Sequence, residues 1–327
     1  MNYRQLGNTD LRISELSFGT WAIGGAWGKT NDDASLAGLE HAIEAGVNFF
    51  DTADVYGDGH SEELLAQATK GIENEIHIAS KFCRAGDIHD LDNYSEKAVR
   101  NYLENTLKRL DRDVLDLYQI HCPPLEVLKE GSVFEVLEKL KQEGKIRYYG
   151  VSVETEEEGL YCLENTKVDT LQVIFNVFRQ KLTERLFPEA KRRGVGIIAR
   201  VPLASGLLTG KFNENTEFEN DDHRNFNRNG EQFNVGETFA GIEFSKGVGL
   251  SRELEWIAEN RGSMTRAALR WILDHEAVST VIPGFKNAEQ VEDNLQALEV
   301  PAFSKEEHHR LRDFYKEKVH ENIRGPY

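Results

Sequence analysis

The chain reads VNFFDTADVY from Val47 to Tyr56. Its first four residues are too few for a helix and too apolar for a loop, so they predict a short buried strand. Asp51, Asp54 and Tyr56 follow at the end of that strand. In α/β folds, ionisable side chains at the carboxyl end of a buried strand often build an active site. Aspartates in such a place also cap turns, so both interpretations stay open at this point.

Strands and helices alternate on both sides of this stretch. A hairpin is predicted around Gly7–Asp10. The predicted strands are Leu16–Ile23, Val47–Phe50, Ile76–Phe82, Val114–His121, Ile146–Val153, Leu171–Val177, Val195–Leu203 and Ser279–Gly284. The predicted helices are Asp32–Ala45, one beginning at Ser61, Tyr94–Leu110, Ser132–Gln142, Thr155–Glu164, Thr183–Arg193, Ser251–Glu259, Thr265–Asp274, Ala288–Leu298 and Ser304–Val319.

This alternation predicts parallel strands joined by right-handed crossovers. In a chain of 327 residues, it favours a closed (β/α)8 TIM barrel with an N-terminal β-hairpin and a C-terminal helix. A doubly wound open sheet is the alternative, but no G-x-G-x-x-G pattern follows the first strand. We expect one barrel domain over residues 1–327. The polar segment Ala204–Leu250, a long loop after the seventh strand, has no long periodic element. It is predicted to form a mobile lid over the barrel mouth, and disorder in part of it is the alternative.

Composition narrows the class of protein. A hydrophobic content of 39% supports a full core, and the net charge of −17 argues against nucleic-acid or anionic membrane surfaces. No apolar run approaches the roughly 18 residues of a membrane helix, and the N-terminus does not resemble a signal peptide. The three cysteines have no disulfide or metal-ligand spacing. We therefore expect a cytoplasmic protein without a metal.

Three successive predicted strands place titratable side chains at the same rim of the barrel. These are Asp51 and Tyr56, Lys81, and His121. A tyrosine is protonated at neutral pH, and a nearby ammonium would lower its pKa toward the working range. Asp51 would balance the charge of Lys81, and His121 would orient a substrate oxygen. The set suits protonation of an oxygen that gains negative charge, as when hydride attacks a carbonyl.

With these residues in place, the chain resembles the aldo-keto reductase family over essentially its whole length. The motifs that carry the resemblance are FDTADVYG at Phe50–Gly57, SKF at Ser80–Phe82, YQIHCP at Tyr118–Pro123, GVS at Gly150–Ser152, RVPLASGLLTGKF at Arg200–Phe212 and IPGFKNAEQVEDN at Ile282–Asn294. The resemblance implies that Tyr56 is the general acid of a tetrad with Asp51, Lys81 and His121. It also implies a nicotinamide cofactor and a small carbonyl or alcohol substrate.

The resemblance further implies a set of cofactor-binding residues. Ser152 and Gln172 match positions that hold the nicotinamide carboxamide, and Arg200 stands where many members have an aromatic that stacks on the ring. The cofactor is expected to be NADPH rather than NADH because of Lys286. The other matching positions are Gly19, Thr20, Trp21, Leu203, Ser205, Lys211, Arg224, Gly284, Gln290 and Asn294.

Three functional hypotheses remain open on the sequence. The leading one is an NADP-dependent oxidoreductase that reduces aldehydes and ketones or oxidises the corresponding alcohols. A second is a barrel aldolase that uses Lys81 as a Schiff base. A third is a redox-sensing regulatory subunit, because some relatives with this fold bind cofactor while regulating a channel.

Overall fold

The structure, a computed structural model, describes residues 1–25, 27–28 and 30–327. An antiparallel hairpin of β1 and β2 precedes eight parallel strands, β3 to β10, which neighbour one another in chain order. The strands are β1 Tyr3–Gln5, β2 Arg12–Ser14, β3 Phe18–Gly19, β4 Phe49–Asp51, β5 His77–Phe82, β6 Leu115–His121, β7 Ile146–Ser152, β8 Thr170–Ile174, β9 Gly196–Arg200 and β10 Val278–Val281.

Backbone hydrogen bonds join the last strand to the first. The amide of Ser17 donates to the carbonyl of Val281 at 2.9 Å, and that of Gly19 donates to Pro283 at 3.1 Å. Parallel bridges between Leu16 and Val281 and between Gly19 and Gly284 continue this seam. The sheet therefore closes, which confirms the predicted (β/α)8 barrel and excludes the open doubly wound sheet.

Helices cover the outside of the barrel. Predicted starts agree with the observed caps: the side chain of Asn31 accepts from the amide of Ala34, and Thr155 and Ser304 form capping boxes. The helices are α1 Asp32–Glu44, α2 His60–Ala68, α3 Glu96–Leu110, α4 Leu125–Glu130, α5 Ser132–Gln142, α6 Glu156–Asn165, α7 Leu186–Arg193, α8 His223–Phe226, α9 Phe244–Glu253, α10 Met264–Leu273, α11 Ala288–Leu295 and α12 Lys305–Phe314.

Several predicted strands are longer than the observed ones. The first was expected over Leu16–Ile23, but β3 has two residues and a 3₁₀ turn follows at Ala22–Gly24. Ile23 is fully buried in that turn, so its apolar character reflects packing and not strand pairing. The seventh strand ends at Arg200 because Val201 has a φ of 53°, which breaks the extended backbone.

The barrel interior is built in layers. A lower apolar layer lies on the hairpin and consists of Leu6, Leu11, Ile13, Phe49, Ala79, Leu117, Ile198 and Ile282. Side chains two residues further along a strand point to the same face. The next layer toward the mouth therefore receives polar residues from the same strands: Asp51, Lys81, Gln119 and Arg200.

The long segment after β9 folds back against the barrel. It contains short helical turns at Ala204–Thr209, Val235–Glu237 and Phe239–Gly241, together with α8 and the start of α9. Phe239 and Ala240 are fully buried. Phe233 packs its ring against Trp21 beside the mouth, with centroids 5.9 Å apart. The segment therefore covers part of the mouth, whereas its mobility stays a prediction.

Two glycine-to-alanine substitutions should have opposite effects on stability. An added Cβ at Gly150, in β7, would lie 2.7 Å from the carbonyl oxygen of Thr170 on the neighbouring strand. We expect Gly150→Ala to lower the free energy of unfolding by about 1–3 kcal/mol. Gly249, in α9, has open space at this position, so Gly249→Ala should raise it by about 0.5–1 kcal/mol. Urea unfolding measures both, and equal effects would contradict the close packing of β7 on β8.

Candidate active site

Lys81 lies at the centre of the polar layer and is fully buried. Its Nζ donates to Asp51 Oδ1 at 2.5 Å, to the backbone oxygen of Thr52 at 2.8 Å and to the Tyr56 hydroxyl at 3.2 Å. An ammonium has three donors, and each meets one acceptor here. Burial lowers the pKa of Lys81, but Asp51 and Tyr56 outweigh burial, and the net pKa is raised. The side chain is therefore a cation.

Two glutamines hold the other oxygen of Asp51. Its Oδ2 accepts from Gln119 Nε2 at 3.0 Å and from Gln172 Nε2 at 2.7 Å. The family resemblance matches Gln172 to a nicotinamide-binding position, and the structure places it against Asp51 as well as on a cleft wall. Gln119 was not recognised from the sequence. The alternation of side chains along β6 could have identified Gln119, because it precedes His121 by two residues and faces the same way.

Tyr56 and His121 lie edge to face, with ring centroids 5.9 Å apart. The Lys81 ammonium does lower the pKa of Tyr56, as expected, but burial raises it more and the net pKa is above the usual value. The hydroxyl is therefore protonated at neutral pH. Burial and the charge of Arg84 hold the pKa of His121 well below its usual value. The imidazole is therefore neutral, and the structure brings all four predicted tetrad residues together.

Two clefts meet at Tyr56 and His121. The first has a volume of about 370 Å³ and runs toward the ends of β9 and β10. The second has a volume of about 660 Å³ and lies between the loops after β5, β6 and β7 and the long segment. Trp21 and Glu237 also line both. A reaction at Tyr56 could thus join a molecule in one cleft to a molecule in the other.

The first cleft collects most of the predicted cofactor-binding residues. Its far end is cationic, because Lys211, Arg224 and Lys286 line it. Lys286 Nζ donates to the backbone oxygen of Trp27 at 2.5 Å, and Arg224 pairs with the buried Asp222. The remaining predicted residues on its walls are Gly19, Trp21, Gln172, Arg200, Leu203, Ser205, Gly284, Gln290 and Asn294.

Thr20 and Ser152 do not line this cleft. Thr20 is fully buried, and its Oγ1 donates to the backbone oxygen of Asp51 at 3.1 Å. Ser152 is also buried, and its Oγ lies 3.3 Å from the Cys122 thiol. Both hydroxyls are therefore engaged in holding strand ends in place.

The backbone after β9 is strained where it forms the wall of the first cleft. Val201, Ala204 and Ser205 have positive φ values of 53°, 48° and 55°. Such values are unfavourable for residues with a Cβ, most of all for a β-branched one, and they cluster at functional sites. This conformation takes the segment out of strand pairing, and the amides of Ala204 and Gly206 donate instead to the carbonyls of Val201 and Leu203.

A buried cluster of four charges separates the two clefts. Arg84 forms a two-point pair with Glu237, at 2.6 and 3.3 Å, and its Nη2 donates to Glu154 at 3.0 Å. Arg200 contacts the same two carboxylates at 3.2 and 3.7 Å. The guanidinium of Arg200, which stands where many family members have a stacking aromatic, is therefore ion-paired along the cleft wall.

The charges in this cluster depend on one another. Burial and the neighbouring Glu237 raise the pKa of Glu154 to about 7. Burial also raises the pKa of Glu237, but Arg84 and Arg200 outweigh it and hold that pKa well below the usual range. Among the described residues, these carboxylates and Cys122 come within 4.8 Å of one another, which is metal-like spacing. The guanidiniums already neutralise them, so we assign the cluster to arginine binding.

Comparisons with known proteins show which family the chain resembles. Residues 15–316 match the model of the Aldo/keto reductase family. Aldo-keto reductase YhdN of Bacillus subtilis is 32% identical over 299 residues, which cover 89% of this chain and 87% of that protein. A probable voltage-gated potassium channel subunit beta of Oryza sativa is 29% identical over 318 residues, covering 92% of each.

A solved structure is similar over the full length. The glycerol dehydrogenase of Gluconobacter oxydans is 30% identical, with a TM-score of 0.78, and the match covers 100% of this chain and 98% of that one. None of the helices in residues 1–25, 27–28 and 30–327 has the length and apolar character needed to cross a membrane.

Asp54, three residues after Asp51, lies in a place where the fold disfavours the ionised form of its carboxyl group. It is 7% exposed, and burial together with the carboxylate of Glu62 raises its pKa to about 7, against an opposing effect of Arg109. The sequence alone is compatible with a turn role and with an active-site role for this residue. The structure places it behind the tetrad, away from the walls of both clefts.

We expect Asp54→Asn to stabilise the protein in a pH-dependent way. The folded-state pKa of about 7 exceeds the ordinary value of 3.8, so the folded state binds a proton more tightly than the unfolded state. Stability is therefore lost as pH rises from about 4 to 7, and asparagine avoids that loss. At pH 8 the gain should reach a few kcal/mol at most, at about 1.4 kcal/mol per pKa unit, and it should vanish near pH 4.

Urea unfolding at several pH values measures this gain. Asp58→Asn is the control, because Asp58 is exposed on the same loop and changes the net charge equally. A gain that does not depend on pH, or an equal gain in the control, would contradict a buried and titrating Asp54.

Proposed function

The chain belongs to the aldo/keto reductase family of NAD(P)H-dependent oxidoreductases, and we propose that it reduces aldehydes or ketones with Tyr56 as general acid. The corresponding alcohols would be oxidised in the reverse direction. The observation that carries this proposal is the position of the Tyr56 hydroxyl, 3.2 Å from the Lys81 ammonium, where the two clefts meet.

Each tetrad residue has a separate task in this mechanism. A nicotinamide cofactor bound in the first cleft would supply hydride to the carbonyl carbon. Tyr56 gives its proton to the carbonyl oxygen, and the adjacent Lys81 ammonium stabilises the phenolate that remains. Asp51 fixes the position of Lys81 and balances its charge. His121, kept neutral by burial, donates a hydrogen bond that orients the substrate oxygen.

The first cleft suits NADPH. Its inner end lies beside Tyr56, and its outer end offers Lys211, Arg224 and Lys286 to phosphate groups. Lys286 lies in the connection between β10 and α11, which agrees with the rule that barrels bind phosphate after their last two strands. Its carboxylate neighbours are Asp222, Asp221 and Glu219, so its attraction for a 2′-phosphate is moderated.

The alternatives are less well supported. A Schiff-base aldolase needs a neutral lysine amine, whereas Lys81 has a raised pKa and three hydrogen-bond acceptors. A regulatory subunit remains a candidate because the Oryza sativa protein named above is a potassium channel subunit. Complete assembly of Asp51, Tyr56, Lys81 and His121 favours turnover, since a cofactor sensor does not need a proton donor.

Replacement of Tyr56 by phenylalanine should remove carbonyl reduction and leave cofactor affinity nearly unchanged. The substitution deletes the transferable proton and keeps the ring that packs on Trp21 and His121. We expect kcat to fall about 10²–10⁴-fold. The measurement is NADPH oxidation over a panel of aldehydes, ketones and sugars, with cofactor binding followed separately. Turnover at the wild-type rate would remove Tyr56 from the mechanism.

Lys286→Ala should weaken NADPH more than NADH. A lysine acts on a 2′-phosphate as a single point charge, so we expect a loss of NADPH affinity of about tenfold and little loss for NADH. Lys211→Ala is the matched control, because Lys211 lines the same cleft in the segment expected at the pyrophosphate and should weaken both cofactors. Equal losses in Lys286→Ala, or a wild-type preference for NADH, would show that Lys286 does not bind the 2′-phosphate.

A further inference from the structure

The second cleft has the dimensions and position of a substrate site if the proposed reductase function holds. Tyr56 and His121 form its floor, and Trp21 and Phe233 contribute aromatic wall. Among the described residues that line this cleft, Arg84 is the only lysine or arginine. Such an arginine would ordinarily recognise a carboxylate or phosphate on the substrate through its planar fork of donors.

In this chain the fork is already occupied. Glu237 accepts from both terminal nitrogens of Arg84, at 2.6 and 3.3 Å, and Glu154 accepts from Nη2 at 3.0 Å. The exposed fractions of the three side chains are 17% for Arg84, 11% for Glu154 and 5% for Glu237. An anionic substrate would have to displace one of these buried carboxylates from Arg84, leaving that carboxylate with Arg200 alone.

The cluster also lies close to the reacting groups. Arg84 is among the charges that lower the pKa of His121, and Glu237 is among those that raise the pKa of Tyr56. Asp87 and Glu158 add further carboxylates to the cleft walls. The surroundings of a bound carbonyl compound thus contain more carboxylates than available cations.

We propose that Glu237, by neutralising Arg84, makes the enzyme selective for uncharged carbonyl substrates and excludes carboxylated or phosphorylated ones. Glu237 belongs to the long segment after β9, whereas Arg84 follows β5 and Glu154 follows β7. The segment that covers the mouth therefore supplies the residue that selects substrates by their charge. Without it, Arg84 and Arg200 would together face Glu154 alone, and the cluster would carry one positive charge.

A matched pair of aldehydes tests the proposal by turnover. 4-Formylbenzamide and 4-carboxybenzaldehyde have the same shape and differ in charge. At pH 8, above the pKa of about 7 for Glu154, we expect wild type to favour the amide at least about tenfold in kcat/KM. Glu237→Gln should reduce this ratio to about one or reverse it. Wild-type enzyme that uses both aldehydes equally would overturn the proposal while leaving the reductase function intact.

Two variants separate the pairing from general charge. Asp87→Asn removes a carboxylate from the wall of the same cleft without releasing Arg84, so the ratio should change much less than in Glu237→Gln. The double variant Arg84→Gln with Glu237→Gln should restore preference for the amide, because the freed guanidinium is gone. If Asp87→Asn changes the ratio as much as Glu237→Gln does, local neutralisation of Arg84 is not the cause.

Binding provides a readout that does not need turnover. Benzamide and benzoate are titrated calorimetrically into the complex with NADP⁺, and thermal unfolding verifies that each variant is folded. Benzoate affinity should rise at least about tenfold in Glu237→Gln and return to the wild-type value in the double variant. Absence of this gain in folded protein overturns the proposal, even if wild type reduces neither aldehyde and the reductase function itself fails.

Discussion

The burial of one ammonium organises the mouth of this barrel. Lys81 has no contact with solvent, and a buried cation is tolerated only when its charge is balanced and its donors are satisfied. Asp51 supplies the balancing charge, and the backbone of Thr52 and the hydroxyl of Tyr56 supply the other acceptors. All three acceptors come from β4 and the turn after it. The parallel pairing of Asp51 with Ala79, two residues before Lys81, brings that turn alongside the lysine.

The burial of Lys81 also explains why the site lies on the lower apolar layer of the barrel. The layer below is closed from beneath by the hairpin, and Phe49 and Ala79 within it are fully buried. A low-dielectric floor strengthens the attraction between Lys81 and Asp51. Burial also raises the pKa of Tyr56 by more than the nearby Lys81 ammonium lowers it. A protonated tyrosine beside a permanent cation is the arrangement that a proton donor requires, because the cation stabilises the base left behind. Packing of the apolar layer thus affects the pKa of Tyr56 at the mouth of the barrel.

Much of this architecture was predictable from local sequence. The parts that were not predictable have identifiable physical reasons. Alternating strand and helix patterns predicted the barrel, and the titratable residues at strand ends predicted that Asp51, Tyr56, Lys81 and His121 lie close together. Strand ends were less predictable: Ile23 is apolar because it packs in a turn, and Val201 adopts a conformation that β-branched residues rarely take. The pKa of Tyr56 depends on how far burial outweighs the charge of Lys81, and the spacing of residues in the sequence does not reveal how deeply Tyr56 is buried. Glu237 was missed because its segment has no periodicity to show which side chains point inward.

Glu237 also connects two properties that are usually considered separately. It lines the first cleft with Arg200 and the second cleft with Arg84. Its pKa is well below the usual range because both guanidiniums face it, so it stays charged while Glu154 titrates near neutral pH. The cluster is neutral when Glu154 is ionised and gains one positive charge when Glu154 is protonated. Because that charge would lie on the wall between the clefts, acidification should act on both clefts at once. Under the proposed function, it would favour an anion in the second cleft and disfavour a cationic oxidised nicotinamide beside Arg200.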